Sequence, residues 1–407
     1  MAEDTALLQI SQTLLHFSDE PLIVVNHARH RFHHQGAAVP ALLRGESRQL
    51  RFEVLGQKYF HVSSVGRART HVNAIPRSSG DRIEAADSSV VTTSALSTDA
   101  PVATRPSHAL RSFAWGVLGY NVAVIVWGSA VRATGSGGGC GEHWPLCDGT
   151  LIVHHPAIAT MIELSHRVTS GIDLVCVLAL FLWTFRAVPR RHLARAFAIG
   201  VLVLTFNEAL IGALLVELGL VANNASPERA AYLGLHLTNT LLLLGALALT
   251  AHFLSRQTGT MRGGVTMRAA GLAITGLAAT LIVGVTGSLA ALGDTLYPAH
   301  NLFRAIAQDF SPASSWLLRI RWLHPAFALI AGAFIVWLAV RSLRRPADRA
   351  LSFGVIALLL IQYWLGVADL ALLTPLWLQM AHLLVADLLW IALVVLCARV
   401  CLVAKTA

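Results

Sequence analysis

The chain has 407 residues, of which 55% are hydrophobic and only 13% are charged, and its formal net charge is +9. Soluble proteins carry roughly twice that charged fraction, so the composition excludes an ordinary soluble enzyme and indicates an integral membrane protein. The positive charge does not indicate a nucleic-acid partner, because the arginines stand in short loops between apolar runs, where membrane proteins concentrate them.

Residues 1–105 differ in kind from the rest of the chain. They are polar and rich in histidine, arginine and serine, and they contain no apolar run that could cross a bilayer. The composition of residues 78–107 predicts disorder. The acidic start matches neither a signal peptide nor a transit peptide. We therefore expect a dispensable, disordered N-terminal extension, either a regulatory tail or an upstream region translated from a misplaced start.

Eight apolar runs follow this extension. Each is long enough to cross about 30 Å of hydrocarbon, which requires roughly 20 residues of helix. The predicted helices lie near 112–132, 157–183, 196–218, 231–254, 269–292, 320–340, 351–371 and 376–397. The sequence therefore predicts an all-α integral membrane protein with eight transmembrane helices, and the predicted environment of these helices is the lipid bilayer.

The distribution of arginine predicts the orientation of the helices. The loops at 184–195, 255–268 and 341–350 are short and rich in arginine, and the loops on the other side carry much less positive charge. Because positively charged loops stay in the cytoplasm, both termini are predicted to be cytoplasmic. The loop with Cys140 and Cys147 is then external.

The eight predicted helices form two similar sets of four. Landmarks recur after about 150 residues, as they do in an internal repeat. The recurring positions are Gly128 with Gly287, His166 with His324, Glu208 with Gln362, and His236 with His382. Residues 110–255 and 268–398 are therefore predicted to be two pseudo-symmetric four-helix bundles in one orientation, unlike the inverted repeats of many transporters. Glu208 is either a second functional carboxylate or a packing residue.

Four of the 18 histidines lie well inside the predicted helices, and these are His166, His236, His324 and His382. All four stand on even-numbered helices, toward the predicted external side. An ionisable group inside a membrane is costly and therefore usually functional. Two histidines on facing helices of a bundle suit the axial ligation of haem iron. Zinc or copper is less well supported, because such sites usually have three or four ligands.

The two predicted bundles differ beside their first histidine. Glu163 and Arg167 lie on the helical face of His166, whereas the equivalent stretch before His324 contains Arg321 and no carboxylate. A carboxylate beside a haem ligand indicates proton transfer or substrate orientation. An ion pair between Glu163 and Arg167 that only anchors the helix is the alternative. We interpret the first bundle as the reactive one and the second as the holder of a cofactor.

The segment RATGSGGGCGEHWPLCDG, residues 132–149, is the most distinctive in the chain. Its glycines permit tight turns and close approach of the backbone. Cys140 and Cys147 enclose six residues on the predicted oxidising face, which favours a disulfide. A metal pair or two free thiols remain open. An exposed disulfide of this kind can also be redox-active.

This segment, followed by Glu163-x-x-His166-Arg167 and by three further histidines on even-numbered helices, resembles the haem A synthase family over residues 112–397. Members of that family are eight-helix proteins of two bundles that oxidise the C8 methyl group of haem O to a formyl group, giving haem A for terminal oxidases. The resemblance implies a membrane oxidoreductase of a bacterial plasma membrane. It also implies an external electron donor and a haem O synthase that supplies the substrate.

The resemblance assigns His166 and His236 to the substrate haem O, and His324 and His382 to a haem b cofactor. A pure electron carrier, a bis-haem b cytochrome between quinone and a partner, is the alternative because it needs the same four ligands. Two observations disfavour it. The bundles are chemically unequal, and the four histidines lie at one level, whereas a carrier would hold its haems at different depths.

The resemblance assigns the remaining candidates as well. Glu163 is expected to be catalytic, and Arg167 and Arg132 are further candidates for supporting the site. Cys140 and Cys147 are expected to form the loop disulfide of the cysteine-bearing bacterial members. The extension at 1–105 has no counterpart in this resemblance.

Overall fold

A computed structural model describes residues 50–54, 58–62, 106–150, 156–256 and 267–401. Strands β1 (Leu50–Val54) and β2 (Lys58–Val62) form an antiparallel hairpin in which Phe52 stands opposite Phe60. The hairpin belongs to the unit Met1–Ala95, and the helices belong to the unit Leu96–Ala407. The predicted disorder of residues 1–105 lies outside the described residues, except where these two strands form regular structure.

The described part of the second unit contains ten α-helices. They are α1 (His108–Ala133), α2 (Ile158–Ala187), α3 (Leu193–Glu217), α4 (Pro227–Ser255), α5 (Met267–Leu296), α6 (Leu302–Phe310), α7 (Trp316–Arg319), α8 (Leu323–Ser342), α9 (Arg349–Ala371) and α10 (Leu376–Cys401). Eight of them, α1–α5 and α8–α10, are long and apolar enough to cross a membrane. The prediction of an all-α membrane protein with eight spanning helices is confirmed.

Capping residues explain why some helices begin ahead of the predicted apolar runs. At the start of α1, the Ser107 hydroxyl accepts a hydrogen bond from the backbone N–H of Leu110 at 3.2 Å. Helix α4 begins at Pro227 because Ser226 accepts from the N–H of Arg229 at 3.2 Å and proline favours the first helical position. These polar first turns lie outside any hydropathy signal, so the apolar runs alone place the helix ends too far inside.

The spanning helices form two four-helix bundles, as predicted. In the first bundle α1, α2, α3 and α4 pack in a ring, each against the next and α4 against α1. In the second bundle α5, α8, α9 and α10 pack in the same way. The helices that carry the four histidines, α2 with α4 and α8 with α10, therefore stand at opposite corners of their rings and face one another across the bundle.

The first and last helices of each bundle form the contact between the bundles. Helix α4 packs against α5 and α10, and α1 packs against α10 and α5. The indole Nε1 of Trp390 on α10 donates to the carbonyl of Leu241 on α4 at 2.6 Å. Trp390 and Val394 belong to the same buried apolar cluster as Leu244 and Leu247 of α4. The two bundles are thus one packed body with a shared core.

The segment between α5 and α8, predicted to be a loop at 293–319, contains the short helices α6 and α7. Asn301 caps α6 by accepting from the N–H of Arg304 at 2.9 Å. Phe303 and Phe310 of α6 are largely exposed. Nine residues are too few to span a bilayer, so a search for apolar runs does not find this helix.

Candidate functional site

The four predicted histidines lie in pairs, one pair in each bundle. In the second bundle the ring centroids of His324 and His382 are 6.4 Å apart and the rings are nearly perpendicular. In the first bundle His166 and His236 lie within electrostatic range of each other. All four side chains are half-buried. The fold therefore brings together the residues that the sequence paired.

A glycine on the neighbouring helix makes room for the first histidine of each pair. A Cβ on Gly128 of α1 would lie 2.9 Å from Cε1 of His166, and a Cβ on Gly287 of α5 would lie 2.8 Å from Cε1 of His324. Real Cβ atoms do not approach so closely, so only glycine fits at either position without displacing the ring. The repeated Gly-Ser pair in the sequence is therefore explained by contact with the histidine.

The ring nitrogens suit iron ligation by two histidines. Nδ1 of His324 is 3.1 Å from the carbonyl oxygen of Val283, which leaves Nε2 of that ring free. The buried Nδ1 atoms of His166, His236 and His382 form no hydrogen bond, although that of His236 lies 3.4 Å from a carboxylate oxygen of Glu208. Within the described ranges there is no group of three or more histidine, cysteine, aspartate or glutamate side chains arranged to hold a metal ion. Two axial ligands per bundle fit a haem better than a zinc or copper ion.

Glu163 is buried and holds the loop that covers the first bundle. One carboxylate oxygen accepts from the backbone N–H of Cys140 at 2.8 Å, and the other accepts from the Arg167 guanidinium at 2.6 Å. Arg167 in turn donates to the carbonyls of His143 (2.7 Å) and Leu146 (2.8 Å). The ion pair that the sequence offered as an alternative is therefore formed, and it anchors the loop as well as the helix.

The loop itself is closed by a disulfide between Cys140 and Cys147, which confirms the predicted bond. Gly139 lies directly against α2, where a Cβ would stand 2.5 Å from the carbonyl carbon of Ala159. The hydroxyl of Thr160 donates to the Gly139 carbonyl at 2.6 Å. This close approach explains why the loop needs glycine before its first cysteine.

Glu208 of α3 points toward the second histidine of the first bundle. Its Oε1 atom is 3.4 Å from Nδ1 of His236. Asn239 and Thr240, both on α4, donate to the same carboxylate, and Asn207 donates to Asn239 at 2.8 Å. The sequence left this carboxylate between a functional and a packing role, and the structure brings it to a predicted site residue. The repeat alignment with Gln362 was the only signal that could have singled it out.

At the position equivalent to Glu163, the second bundle has Arg321. Its guanidinium pairs with Asp294 of α5 and lies 2.7 Å from Asp309 of α6, and it donates to the carbonyl of Ala305 at 2.6 Å. Arg321 thus fixes α6 over the second bundle in the way that Glu163 fixes the disulfide loop over the first. This network joins residues that are distant in sequence, and no sequence motif indicated it.

Arg132, a candidate for supporting the site, reaches into the other bundle. It donates to the carbonyl of Ala291 at 3.0 Å, to the hydroxyl of Thr295 at 3.2 Å and to the side-chain oxygen of Gln379 at 3.2 Å. Its contacts therefore tie the end of α1 to α5 and α10. The structure does not bring Arg132 to Glu163.

Comparison with known proteins gives a match over nearly all of the helical unit. Residues 111–394 match the COX15-CtaA family, described as cytochrome oxidase assembly protein. The matched range contains all eight spanning helices apart from the outermost residues of α1 and α10, together with every predicted site residue.

Individual relatives differ in how much of their length corresponds to this chain. A Bacillus licheniformis protein named "Heme A synthase" is 30% identical over 234 residues, covering 54% of this chain and 72% of the relative. A Geobacillus kaustophilus protein of the same name is 29% identical over 281 residues, with 84% of the relative covered. A Thermus thermophilus protein named "Protoheme IX farnesyltransferase" is 43% identical over 275 residues, but this chain spans only 44% of its length.

Proposed function

The chain belongs to the COX15-CtaA family of cytochrome oxidase assembly proteins, and we propose that it is a haem A synthase. The proposed reaction is the oxidation of the C8 methyl group of haem O to a formyl group, in two or more steps. The observation that carries the proposal is the pair of histidines at opposite corners of each bundle, combined with relatives named "Heme A synthase" that align over most of their own length.

In the proposed site, His166 and His236 bind the iron of haem O between α2 and α4. Gly128 helps to set the position of the His166 ring, because the ring occupies the space that a side chain at residue 128 would otherwise fill. A substrate with a long apolar tail enters laterally from the lipid, since the site lies between helices whose outer faces are apolar. The chain's own residues therefore hold the porphyrin between α2 and α4.

Glu163 and Arg167 contribute by closing the site. Their ion pair and their bonds to the loop backbone hold the segment from Cys140 to Cys147 against α2, one helical turn from His166. A fixed loop excludes water from the substrate and keeps the His166 ring in place, which is the kind of positioning that supplies much of an enzyme's rate. We expect turnover to depend on Glu163 through this closure.

The second bundle is proposed to hold the resident cofactor. His324 and His382 would be the two axial ligands of haem b, which when bound supplies one-electron transfer. The Val283 carbonyl orients the His324 ring through Nδ1, which leaves Nε2 free for the iron. Gln362 lies beside the His382 ring with its amide nitrogen 3.0 Å from Nε2.

The setting and partners are proposed as follows. The arginine-rich loops indicate that both termini face the cytoplasm of a bacterial plasma membrane, with the disulfide loop outside. The Thermus relative is named for haem farnesylation, and more than half of it lies outside the region shared with this chain. We therefore propose that a haem O synthase supplies the substrate to this protein. The conversion of a methyl to a formyl group is a four-electron oxidation that adds one oxygen atom, so the reaction requires an external oxidant and an oxygen source besides an external electron donor.

Extraction and chromatography of the haems from membranes of a host that makes haem O tests the function. Expression of this chain should produce haem A or a hydroxylated intermediate, and the His236→Ala variant should not. The exposed His300→Ala variant is the matched control and should be as active as the parent chain. If a well-expressed protein shows a bis-histidine spectrum with haem b and unconverted haem O only, the electron-carrier function replaces the synthase.

A further inference from the structure

The residue that faces the second histidine differs in charge between the two bundles. Glu208 and Gln362 occupy equivalent positions on α3 and α9. Oε1 of Glu208 is 3.4 Å from Nδ1 of His236, and the amide nitrogen of Gln362 is 3.0 Å from Nε2 of His382. Each bundle therefore places a side chain of the same shape against its second histidine, at Nδ1 in the first bundle and at Nε2 in the second, and only the first bundle makes that side chain a carboxylate.

We propose that Glu208 is a positioning residue for His236: its carboxylate, 3.4 Å from Nδ1 in the structure, accepts the Nδ1–H when Nε2 binds the iron of the substrate haem. This inference rests on the proposed function, because it takes His236 to be a ligand of that haem. Carboxylates in this outer position fix the tautomer and the plane of a ligating imidazole and increase its basicity.

The surroundings of Glu208 hold its carboxylate in place. Asn239 and Thr240 donate to its two oxygens. Asn239 is itself held, because it donates to the carbonyl of Leu204 at 2.9 Å and accepts from Asn207 at 2.8 Å. A packing residue would need none of these donors. Because these donors fix the carboxylate on one side, its free face is directed at the imidazole of His236 on the other.

The charge of Glu208 is not neutralised by a neighbouring arginine or lysine. Glu163 is paired with Arg167, whereas in the part of the chain that the structure describes the only basic side chain within 4 Å of Glu208 is His236. The negative charge therefore acts on the imidazole alone. A ligand made more electron-donating in this way stabilises the oxidised iron more than the reduced iron, so we expect the two haem sites to differ in reduction potential.

Reciprocal substitutions in the full-length purified protein, loaded with haem O and its own haem b, test the inference. Redox titration and electron paramagnetic resonance report both haems separately from turnover. Glu208→Gln should raise the midpoint potential of the first haem, change its resonance spectrum and leave the second haem unaffected. Gln362→Glu, which changes the residue against Nε2 and not Nδ1 of His382, should leave the potential and spectrum of the first haem unchanged. Glu208→Asp should restore part of the parent spectrum, and Glu228→Gln, an exposed control on α4, should change nothing.

The outcomes separate this inference from the proposed function. If Glu208→Gln retains haem b, and so is folded, but leaves the potential and spectrum of the first haem unchanged, Glu208 does not position His236. If the parent protein holds no haem in the first bundle, the inference also fails. If the parent binds both haems and Glu208→Gln shifts the first as expected, but no haem A is formed, the positioning role stands and the synthase function is wrong.

Discussion

The two four-helix bundles share a scaffold and differ in charge. Both have the same ring of helices, and both pack a glycine against the first histidine, Gly128 against His166 and Gly287 against His324. The first bundle has the carboxylates Glu163 and Glu208 one helical turn before its first histidine and beside its second, whereas the second bundle has an arginine and an amide at the equivalent positions. The two bundles therefore share their shape and differ in a few charged side chains.

The same comparison explains the segments that cover the bundles. Glu163 and Arg321 occupy equivalent positions before the first histidine, and each binds the segment that connects the first two spanning helices of its bundle. The carboxylate accepts from a backbone N–H of the disulfide loop. The guanidinium donates to a backbone carbonyl of α6 and to Asp309. One position thus performs one structural task with opposite charges.

The largest expected effect concerns the second bundle, which is proposed to hold haem b. His324→Ala and His382→Ala should each remove haem b from the purified protein, because one axial ligand is lost entirely. The loss should exceed the roughly 10–100-fold change that follows loss of an outer partner. Haem content per protein, measured by pyridine haemochrome, checks it. Intact haem b in either variant, with His300→Ala as control, would show that the assignment of the two bundles is wrong.

The second-largest effect is expected in the first bundle, which is proposed to bind the substrate. Glu163→Ala should lower turnover on the order of 10²-fold, because the loop is no longer held and the site opens, while haem b stays bound. Glu142→Ala, an exposed glutamate in the same loop, is the matched control and should keep full activity. Rates of haem A formation in membranes with equal haem b content give the answer. Full activity of Glu163→Ala would remove this residue from the mechanism.

Equivalent glycine substitutions should affect the bundles selectively. A Cβ at Gly128 or Gly287 would overlap a histidine ring, and such overpacking costs about 1–3 kcal/mol. Gly128→Ala should lower turnover and spare haem b, and Gly287→Ala should lower haem b content. Gly116→Ala and Gly271→Ala, on the same two helices but with no atom within 4 Å of the added carbon, are the controls. Equal loss of haem b in both test variants would contradict the separation of roles.

A smaller effect is expected for the disulfide. Cys140→Ser with Cys147→Ser should loosen a short loop that Glu163 and Arg167 still hold by several hydrogen bonds. The constraint on a loop of this length is worth about 2–3 kcal/mol, so a partial loss of activity is expected and not a complete one. Limited proteolysis of the loop and turnover should change together. If the loop stays protected while activity disappears, the bond has a redox role.

The smallest effect is expected for the N-terminal residues. Removal of residues 1–100 should leave haem A formation unchanged, because the first spanning helix begins at His108 and its cap is Ser107. Activity of the shortened protein in the same membrane assay provides the measurement. An inactive but fully inserted truncation would show that the extension takes part in the function.

Hydropathy and the internal repeat were sufficient to predict eight helices, two bundles and the four histidines, since these depend on local composition and on spacing. The disulfide was predicted from its compartment and its family pattern. The contacts of Arg132 and Glu208 could not be predicted, because each depends on which helix faces which in three dimensions. Arg132 stands in the family motif, yet its contacts lie in the other bundle. Helix α6 was missed because nine residues give no spanning signal.

Helix α10 packs on α1, and α4 packs on α5. This arrangement has a consequence for the order of the two bundles along the chain. In each case the last helix of one bundle is a neighbour of the first helix of the other, so a linker between α10 and α1 would cross a distance like that covered by the natural connection between α4 and α5. A circularly permuted chain that begins at α5 and ends at α4 would keep every helix contact described. The present order of the two bundles is therefore one of two chain connectivities that are compatible with the same fold.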